Sequence, residues 1–186
     1  MAAPSPVALR SRATGALAAG TVAAYAAMYV TQPLLPLLSA EFGLPPATAG
    51  LSVSAVVLAI AAGSFLAGPL SDALGRKTVM VGSLALLVLP TLGCAVARTF
   101  PQLVAWRAAQ GLLIPGVTAV VVAWAGDHYA PGKIRTAVGA VIAASVAGGL
   151  LGRVASGMVA EHSGWRAAFV LSAAVTGAGA LGMALE

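Results

Sequence analysis

The chain has 186 residues, of which 60% are hydrophobic and only 8% are charged, against about 25% charged in typical soluble domains. So few charged side chains could not coat a soluble fold, which excludes a soluble enzyme and a disordered chain. The net charge of +5 does not indicate a nucleic-acid partner, because the basic residues are scattered between apolar runs and form no single patch. We therefore expect a lipid bilayer around the protein and no nucleic acid bound to it.

Six long runs of the sequence carry no charge, and each approaches or exceeds the roughly 17–25 residues that a membrane helix needs. Charges and turn-forming residues separate them. The sequence predicts helices over residues 14–39, 47–70, 78–97, 101–126, 134–160 and 165–185. The predicted fold class is therefore all-α and membrane-integral, with an N-terminal tail over residues 1–12 and six transmembrane helices in residues 13–186.

Lysines and arginines concentrate in alternate connecting segments. With the N-terminus inside the cell, the outer segments hold only Arg98 and Arg166. The inner segments then hold Arg10, Arg12, Arg76, Lys77, Lys133 and Arg135. Because cytoplasmic loops carry the excess of basic residues, we predict a protein of the cell (plasma) membrane with a cytoplasmic N-terminal tail and a cytoplasmic C-terminus.

The second and fifth predicted helices have similar sequences at their C-terminal ends. GPLSDALGRK at 68–77 aligns without gaps on GMVAEHSGWR at 157–166, 89 residues later. The same offset matches two stripes of small residues, Ala55, Ala59, Gly63 and Ala67 with Ala144, Gly148, Gly152 and Ser156. Such stripes let helices approach closely in lipid, although for the stripes alone chance in an alanine-rich chain is the alternative. An offset of three spans predicts two inverted three-helix repeats, over about 13–97 and 101–185.

Several motifs carry a resemblance to a known family. The segment 68–77 resembles the G-x-L-x-D-x-x-G-R-K signature between helices 2 and 3 of the major facilitator superfamily. RAAQG at 107–111 is similar to the R-x-x-Q-G motif in helix 4 of its proton-coupled members, and GWR at 164–166 to the turn before helix 6. Residues 29–36 and 148–153 are most similar to bacterial permeases for sugar or drug efflux.

The resemblance implies secondary active transport of a small molecule by alternating access, with efflux coupled to protons. Family members have two six-helix halves, so the chain would form the N-terminal half, and a second half would come from a missing C-terminal half, another chain or a copy of itself. One departure is at Ala147-Gly148-Gly149, where drug–proton antiporters have a Gly-Pro pair. The alternative is a six-span channel or a homo-oligomeric pore, but the inverted repeat favours a transporter.

No enzyme is expected, because the two histidines, His128 and His162, both lie in predicted loops. No span then holds a histidine that could activate a serine, and no HExxH zinc motif is present in the sequence. We predict neither a cofactor nor a metal site.

In the resembling family the loop between helices 2 and 3 is a cytoplasmic gate that latches the inner ends of the two halves. The resemblance implies this latch role for Asp72 and Arg76. Gly68 and Gly75 would allow the close approach and the turn, and Lys77 completes the loop. The alternative is a solvated loop that only obeys the positive-inside rule, and Lys77 fits that alternative well.

Arg107 and Arg153 lie inside predicted spans, where a charge costs about 2.5–3.5 kcal/mol on insertion scales. We expect them to face a cavity or, alternatively, to snorkel to the headgroups. The predicted cavity or coupling residues are Arg107, Gln110, Gly111 and Arg153, with a helix 1 stripe of Tyr25, Tyr29 and Gln32. Packing is the alternative for the two tyrosines. Helices 1 and 4 would line the cavity, the small stripes of helices 2 and 5 would meet the missing half, and helix 3 would face lipid.

No aspartate or glutamate lies inside a predicted span. Carboxylates are the usual proton-relay groups of transporters, so this chain supplies only positive charge and hydrogen-bond donors to a cavity. Either the coupling acid lies in the second half, or the small-molecule substrate is neutral or anionic.

Overall fold

The computed structural model describes residues 6–129 and 131–185, and all regular structure within them is helical. The elements are α1 Pro6–Tyr29, a 3-10 turn Gln32–Leu34, α2 Leu35–Phe42, α3 Pro46–Ala49, α4 Leu51–Leu74, α5 Arg76–Ala95, α6 Phe100–Leu113, α7 Pro115–Thr118, α8 Val120–His128 and α9 Pro131–Ala184. The all-α prediction is confirmed over these residues. The first five residues of the predicted tail lie outside the described residues, and α1 already begins at Pro6.

Five helical stretches of the described chain are long and apolar enough to cross a membrane, where the sequence predicts six. They are Thr14–Phe42, Pro46–Leu74, Arg76–Ala95, Phe100–His128 and Ile134–Ala184, called here the first to fifth stretch. The fifth has 51 residues, more than twice the roughly 20 that one span needs. Within it Gly164 leaves helical geometry, with φ 79° and ψ 165°. The predicted helices 134–160 and 165–185 are thus joined by a kink and not by a loop, and we call residues 131–163 and 165–184 the first and second arms of α9.

Prolines interrupt the first and fourth stretches, which the sequence predicts as unbroken helices. Proline has no N–H group to donate to the preceding turn, so it favours the start of a new helical segment. Pro33 lies in the 3-10 turn between α1 and α2, and Pro115 begins α7 after the single residue Ile114, which separates it from α6. The first break leaves Gln32 at the start of the 3-10 turn, one helical turn beyond Met28.

Small residues let two pairs of helices approach backbone to backbone. A Cβ on Gly152 would lie 2.6 Å from the Cα of Ala26, and Gly148 faces the backbone of α1 in the same way. A Cβ on Gly63 would lie 3.1 Å from the Cα of Leu112. The first arm of α9 therefore packs on α1, and α4 packs on α6. The sequence predicts that these stripes meet a missing half; instead, their glycines are covered by helices of this chain, because a small-residue groove fits any helix that reaches it.

Replacing Gly152 by alanine is expected to destabilise the fold by about 1–3 kcal/mol, because the added methyl group must push α1 and α9 apart. Gly139→Ala is the matched control on the same arm, since nothing lies within 4 Å of a Cβ there. That control should leave stability unchanged or raise it by up to about 1 kcal/mol. Unfolding by detergent titration in mixed micelles measures both. Equal stabilities for the two variants would contradict the close α1–α9 contact.

The third stretch is more buried than a lipid-facing helix would be. In the most apolar part of the third and fourth stretches 50% of the residues are buried, against 22% in the second and fifth. Leu84 and Leu87 of α5 have no exposed surface and pack with buried residues of α1, α4, α7 and α8. The prediction that helix 3 faces lipid is therefore wrong for the face that carries Leu84 and Leu87. Large apolar side chains are instead exposed along α4 and the first arm of α9, for example Phe65 and Val146.

Candidate functional site

Arg107 lies at the centre of a polar network in the bundle. It has no exposed surface. Its Nη1 donates to the carbonyl oxygen of Ala27 at 3.0 Å and to Oε1 of Gln110 at 2.6 Å. Its Nη2 donates to the carbonyl oxygen of Met28 at 2.7 Å, and its Nε to that of Ser52 at 3.2 Å. Four of the five N–H groups of the guanidinium are thus used, and they join the first, second and fourth stretches.

Gln110 extends the network to the third stretch. Its Nε2 donates to Oγ1 of Thr91 at 2.7 Å, and the Thr91 hydroxyl donates to the carbonyl oxygen of Leu87 at 2.6 Å. The Cys94 thiol lies 3.7 Å from Oε1 of Gln110 as a weak donor. Neither Thr91 nor Cys94 is among the predicted site residues, although their spacing of three residues on an apolar helix places both on one face.

The network is a packed polar core in this structure. Arg107 neither snorkels nor faces an open cavity, because its surroundings leave it no exposed surface. Gly111 contributes by its size: a Cβ there would lie 2.6 Å from the Cβ of Ala59 on α4. The close approach of α6 to α4 brings the carbonyl group of Ser52 within reach of Arg107. No carboxylate of the described residues forms an ion pair with Arg107, so hydrogen bonds alone compensate the buried charge.

Arg153 forms a second cluster with α1, separate from the first. Its Nε donates to Oε1 of Gln32 at 2.6 Å, and its Nη1 donates to the carbonyl oxygen of Gly149 at 3.0 Å. The guanidinium lies over the ring of Tyr29, 3.9 Å from the centroid. Arg153, Tyr29 and Gln32 are all half-buried, as is Tyr25 one turn earlier. The sequence predicts one cavity with both arginines; the structure brings Arg153 to Tyr29 and Gln32, and Arg107 to other groups.

The loop between the second and third stretches carries an ion-pair cluster. Gly75 has φ 88° and ψ 136°, a positive φ that favours glycine, so α4 ends and α5 begins without further residues. Nη2 of Arg76 lies 3.6 Å from Oδ1 of Asp72, and its Nε donates to Oδ2 of Asp127. The Asp72 side chain is 69% exposed, and a Cβ on Gly68 would meet nothing within 4 Å.

Asp127 is a residue that the sequence prediction missed. It lies one residue before the end of the fourth stretch, and Arg76 begins the third, so no local pattern links the two. Its position as the single acid at the end of an otherwise apolar run is the only sequence signal. Lys77 is exposed beside this cluster.

A related cluster around Glu41 lies at the opposite end of the bundle. Nη1 of Arg166 lies 2.6 Å from Oε1 of Glu41, and the indole N–H group of Trp165 donates to Oε2 of Glu41 at 2.5 Å. These two residues follow Gly164, whose positive φ resembles that of Gly75. The Gly75 turn and the Gly164 kink thus both bend at a glycine, and at each the arginine that follows pairs with an acid at the end of a helix distant in sequence.

The family model described as Major Facilitator Superfamily matches residues 17–185. The chain belongs to the major facilitator superfamily. It is 38% identical over 157 residues to the inner membrane transport protein YnfM of Escherichia coli K12, which covers 84% of this chain and 38% of that protein. It is 34% identical over 150 residues to the uncharacterized transporter BU588 of Buchnera aphidicola, covering 81% and 37%. The uncharacterized MFS-type transporter YybF of Bacillus subtilis is 31% identical over 144 residues, covering 77% and 36%.

These findings confirm the resemblance that the motifs indicate. As a major facilitator superfamily chain with several apolar helical stretches, the protein is a multi-pass membrane protein, and its relatives are named as transporters. The alignments span less than two fifths of the length of these relatives. Within the described residues, no three His, Cys, Asp or Glu side chains come together to hold a metal ion.

Proposed function

We propose that the chain is the N-terminal half of a secondary active transporter that exports a small molecule by alternating access, coupled to protons. The cluster of Arg76 with Asp72 and Asp127 carries this proposal. Alternating access needs contacts that hold one state and break in the other. An ion pair between partly exposed side chains contributes only about 0.2–1 kcal/mol, so it can break at low cost. The exposed Asp72 carboxylate and the open space at Gly68 leave room for an opposing helix.

We also infer six spans, because each arm of α9 on either side of Gly164 is long enough to cross a bilayer. Counted in this way, both termini lie at the end of the bundle that holds Arg76 and Lys77. The positive-inside rule then places this end, and both termini, in the cytoplasm. The relative named as an inner membrane transport protein supports a plasma-membrane location.

The proposed second half covers the exposed apolar faces of α4 and of the first arm of α9. Those faces carry large side chains, including Phe65, Leu66 and Val146, that are more than half exposed. The matched relatives are more than twice as long as the aligned segment, which leaves room for six further spans. The rest of a longer polypeptide, another chain or a copy of this chain could supply them.

The charges of this half favour a neutral or anionic substrate. In the described stretches every Asp or Glu lies within three residues of a stretch end or of the Gly164 kink. Arg107 and Arg153 are the charged residues of these stretches that lie farther from the ends and from the kink. We therefore propose that the proton-coupling acid belongs to the second half.

Flux through the complete two-half assembly in liposomes tests the proposal. We expect saturable, substrate-dependent flux that stops when an uncoupler collapses the proton gradient, because a secondary transporter draws its work from that gradient. Labelled metabolites and drugs, screened as neutral and anionic sets, serve as substrates.

Liposomes that contain the assembly without a gradient are the control. Conductance that does not saturate and does not depend on the proton gradient would favour a channel or pore instead. Saturable flux that survives the uncoupler would contradict proton coupling but not transport.

A further inference from the structure

We propose that Arg153, Tyr29 and Gln32 form the site that binds a carboxylate group of the transported substrate. The inference rests on the transport function proposed above and narrows it to one class of ligand. Arg107 and Arg153 are the arginines of the described stretches that lie away from the stretch ends and from the Gly164 kink.

The two arginines differ in how their donors are used. Arg107 has no exposed surface and donates four hydrogen bonds to groups of this chain. Arg153 is half-buried and donates two, one each from Nε and Nη1. Among the described residues no group accepts a bond from its Nη2, and no carboxylate lies within ion-pair distance. Arg153 therefore keeps free donors and has no carboxylate partner among the described residues.

Arg153 does not line the apolar groove between α1 and the two arms of α9. That groove is lined by Val22, Ala26, Leu151, Ala155 and Leu171. Arg153 is half-buried and lies against Tyr29 of α1 and Gln32 of the 3-10 turn. We infer that a ligand entering between this half and the opposing half reaches the exposed part of Arg153.

The neighbours of Arg153 fix the orientation that a carboxylate needs. The Tyr29 ring covers one face of the guanidinium at 3.9 Å, and the amide oxygen of Gln32 holds Nε at 2.6 Å. These contacts fix the plane of the guanidinium group, while Nη1 and Nη2 keep N–H groups that donate to no described residue. The planar fork of an arginine matches the two oxygens of a carboxylate, and the charge-assisted bonds are about twice as strong as neutral ones. A neutral amide of the same shape offers only one acceptor oxygen and no charge.

Benzoate and benzamide are suitable probes, because they share ring and size and differ in charge. Saturation-transfer NMR on the full 186-residue chain in lipid nanodiscs reports weak binding of either compound. We expect benzoate to bind the native chain and benzamide to bind at least about tenfold more weakly. Native chain that binds neither probe, or binds both equally, would overturn the proposal.

Variants locate the binding. Arg153→Gln should weaken benzoate binding by about tenfold or more, and Arg153→Lys should keep part of it, because lysine retains the charge without the planar fork. Arg98→Gln is the matched control: it removes one charge from an exposed arginine outside the cluster and should bind like the native chain. Benzoate bound equally by native chain and Arg153→Gln would place the site elsewhere.

The binding and flux measurements distinguish failure of the carboxylate site from failure of the transport proposal. If benzoate binding is lost with Arg153→Gln while the assembly moves no substrate, the carboxylate site stands and the transport proposal fails. If the assembly transports only compounds without a carboxylate, transport stands and this site is wrong.

Discussion

Replacing Arg107 by methionine is expected to abolish transport while the helical bundle stays within about 1 kcal/mol of its native stability. Arg107 is a buried charge without a described carboxylate partner, held by four hydrogen bonds. Its desolvation offsets much of what those bonds contribute, so an apolar side chain of similar volume can replace it at little cost. A charged group that is buried at such a cost inside a membrane is typical of a functional site.

Arg107→Ala separates packing from charge. Both variants remove the donor to Gln110, but only the alanine leaves a void, so we expect it to lose about 2–4 kcal/mol in the free energy of unfolding. Transport should fall to the rate of empty liposomes in both variants. Detergent titration measures stability, and flux in the two-half assembly measures transport.

Arg98→Met is the matched control, because Arg98 is exposed and only its backbone N–H group donates to Gln102. It should change neither stability nor flux. Native flux in Arg107→Met would reduce Arg107 to a structural residue. A large loss of stability in that variant would contradict the balance of desolvation against hydrogen bonding.

Much of the fold is predictable from the sequence, because the bilayer imposes its own spacing on the chain. Charge-free runs give the helices to within a few residues at most ends, since a charge or a turn residue bounds each run. The exception is Gly164. A single glycine with positive φ turns the chain there without a loop, and a local pattern cannot distinguish such a kink from a connection.

The site is less predictable, because its contacts join residues that are far apart in sequence. Counting places Arg107 inside a span, but its burial depends on the fit of Gly111 against α4, which no spacing reveals. The motif identifies Arg76, whereas its partner Asp127 is visible only after folding. Small residues show that two helices approach closely but not which two, so the sequence predicts the wrong partner for the stripe that contains Gly152.

Reversing the charge of Arg76 is expected to shift the equilibrium between transport states. In this structure Arg76 pairs with Asp127 and lies near Asp72. Because the side chains are partly exposed, the pair is worth about 0.2–1 kcal/mol, and reversal turns attraction into repulsion of similar size. A change of up to about 2 kcal/mol moves a two-state equilibrium by up to about thirtyfold. Arg76→Asp should therefore depopulate the latched state and slow flux by a similar factor.

A cysteine at position 68 reports this shift directly. A side chain added at Gly68 points into open space in this half, so in the assembly only the opposing half can cover it. In a Cys94→Ala background, Gly68→Cys should react faster with a membrane-impermeant maleimide when Arg76→Asp is present. Combining Arg76→Asp with Asp127→Arg restores an opposite-charge pair, and the reaction and the flux should return towards native values.

Lys77→Asp makes the same charge change one residue along the loop, where the exposed lysine serves the positive-inside rule. We expect its flux and labelling rate to stay within about twofold of native, because a screened surface charge without a partner contributes little. If Lys77→Asp acts as strongly as Arg76→Asp, the loop works through its net charge and not through a specific pair. If the double reversal recovers nothing, Asp127 is not the partner that matters, and the latch must depend on a contact between Arg76 and the second half.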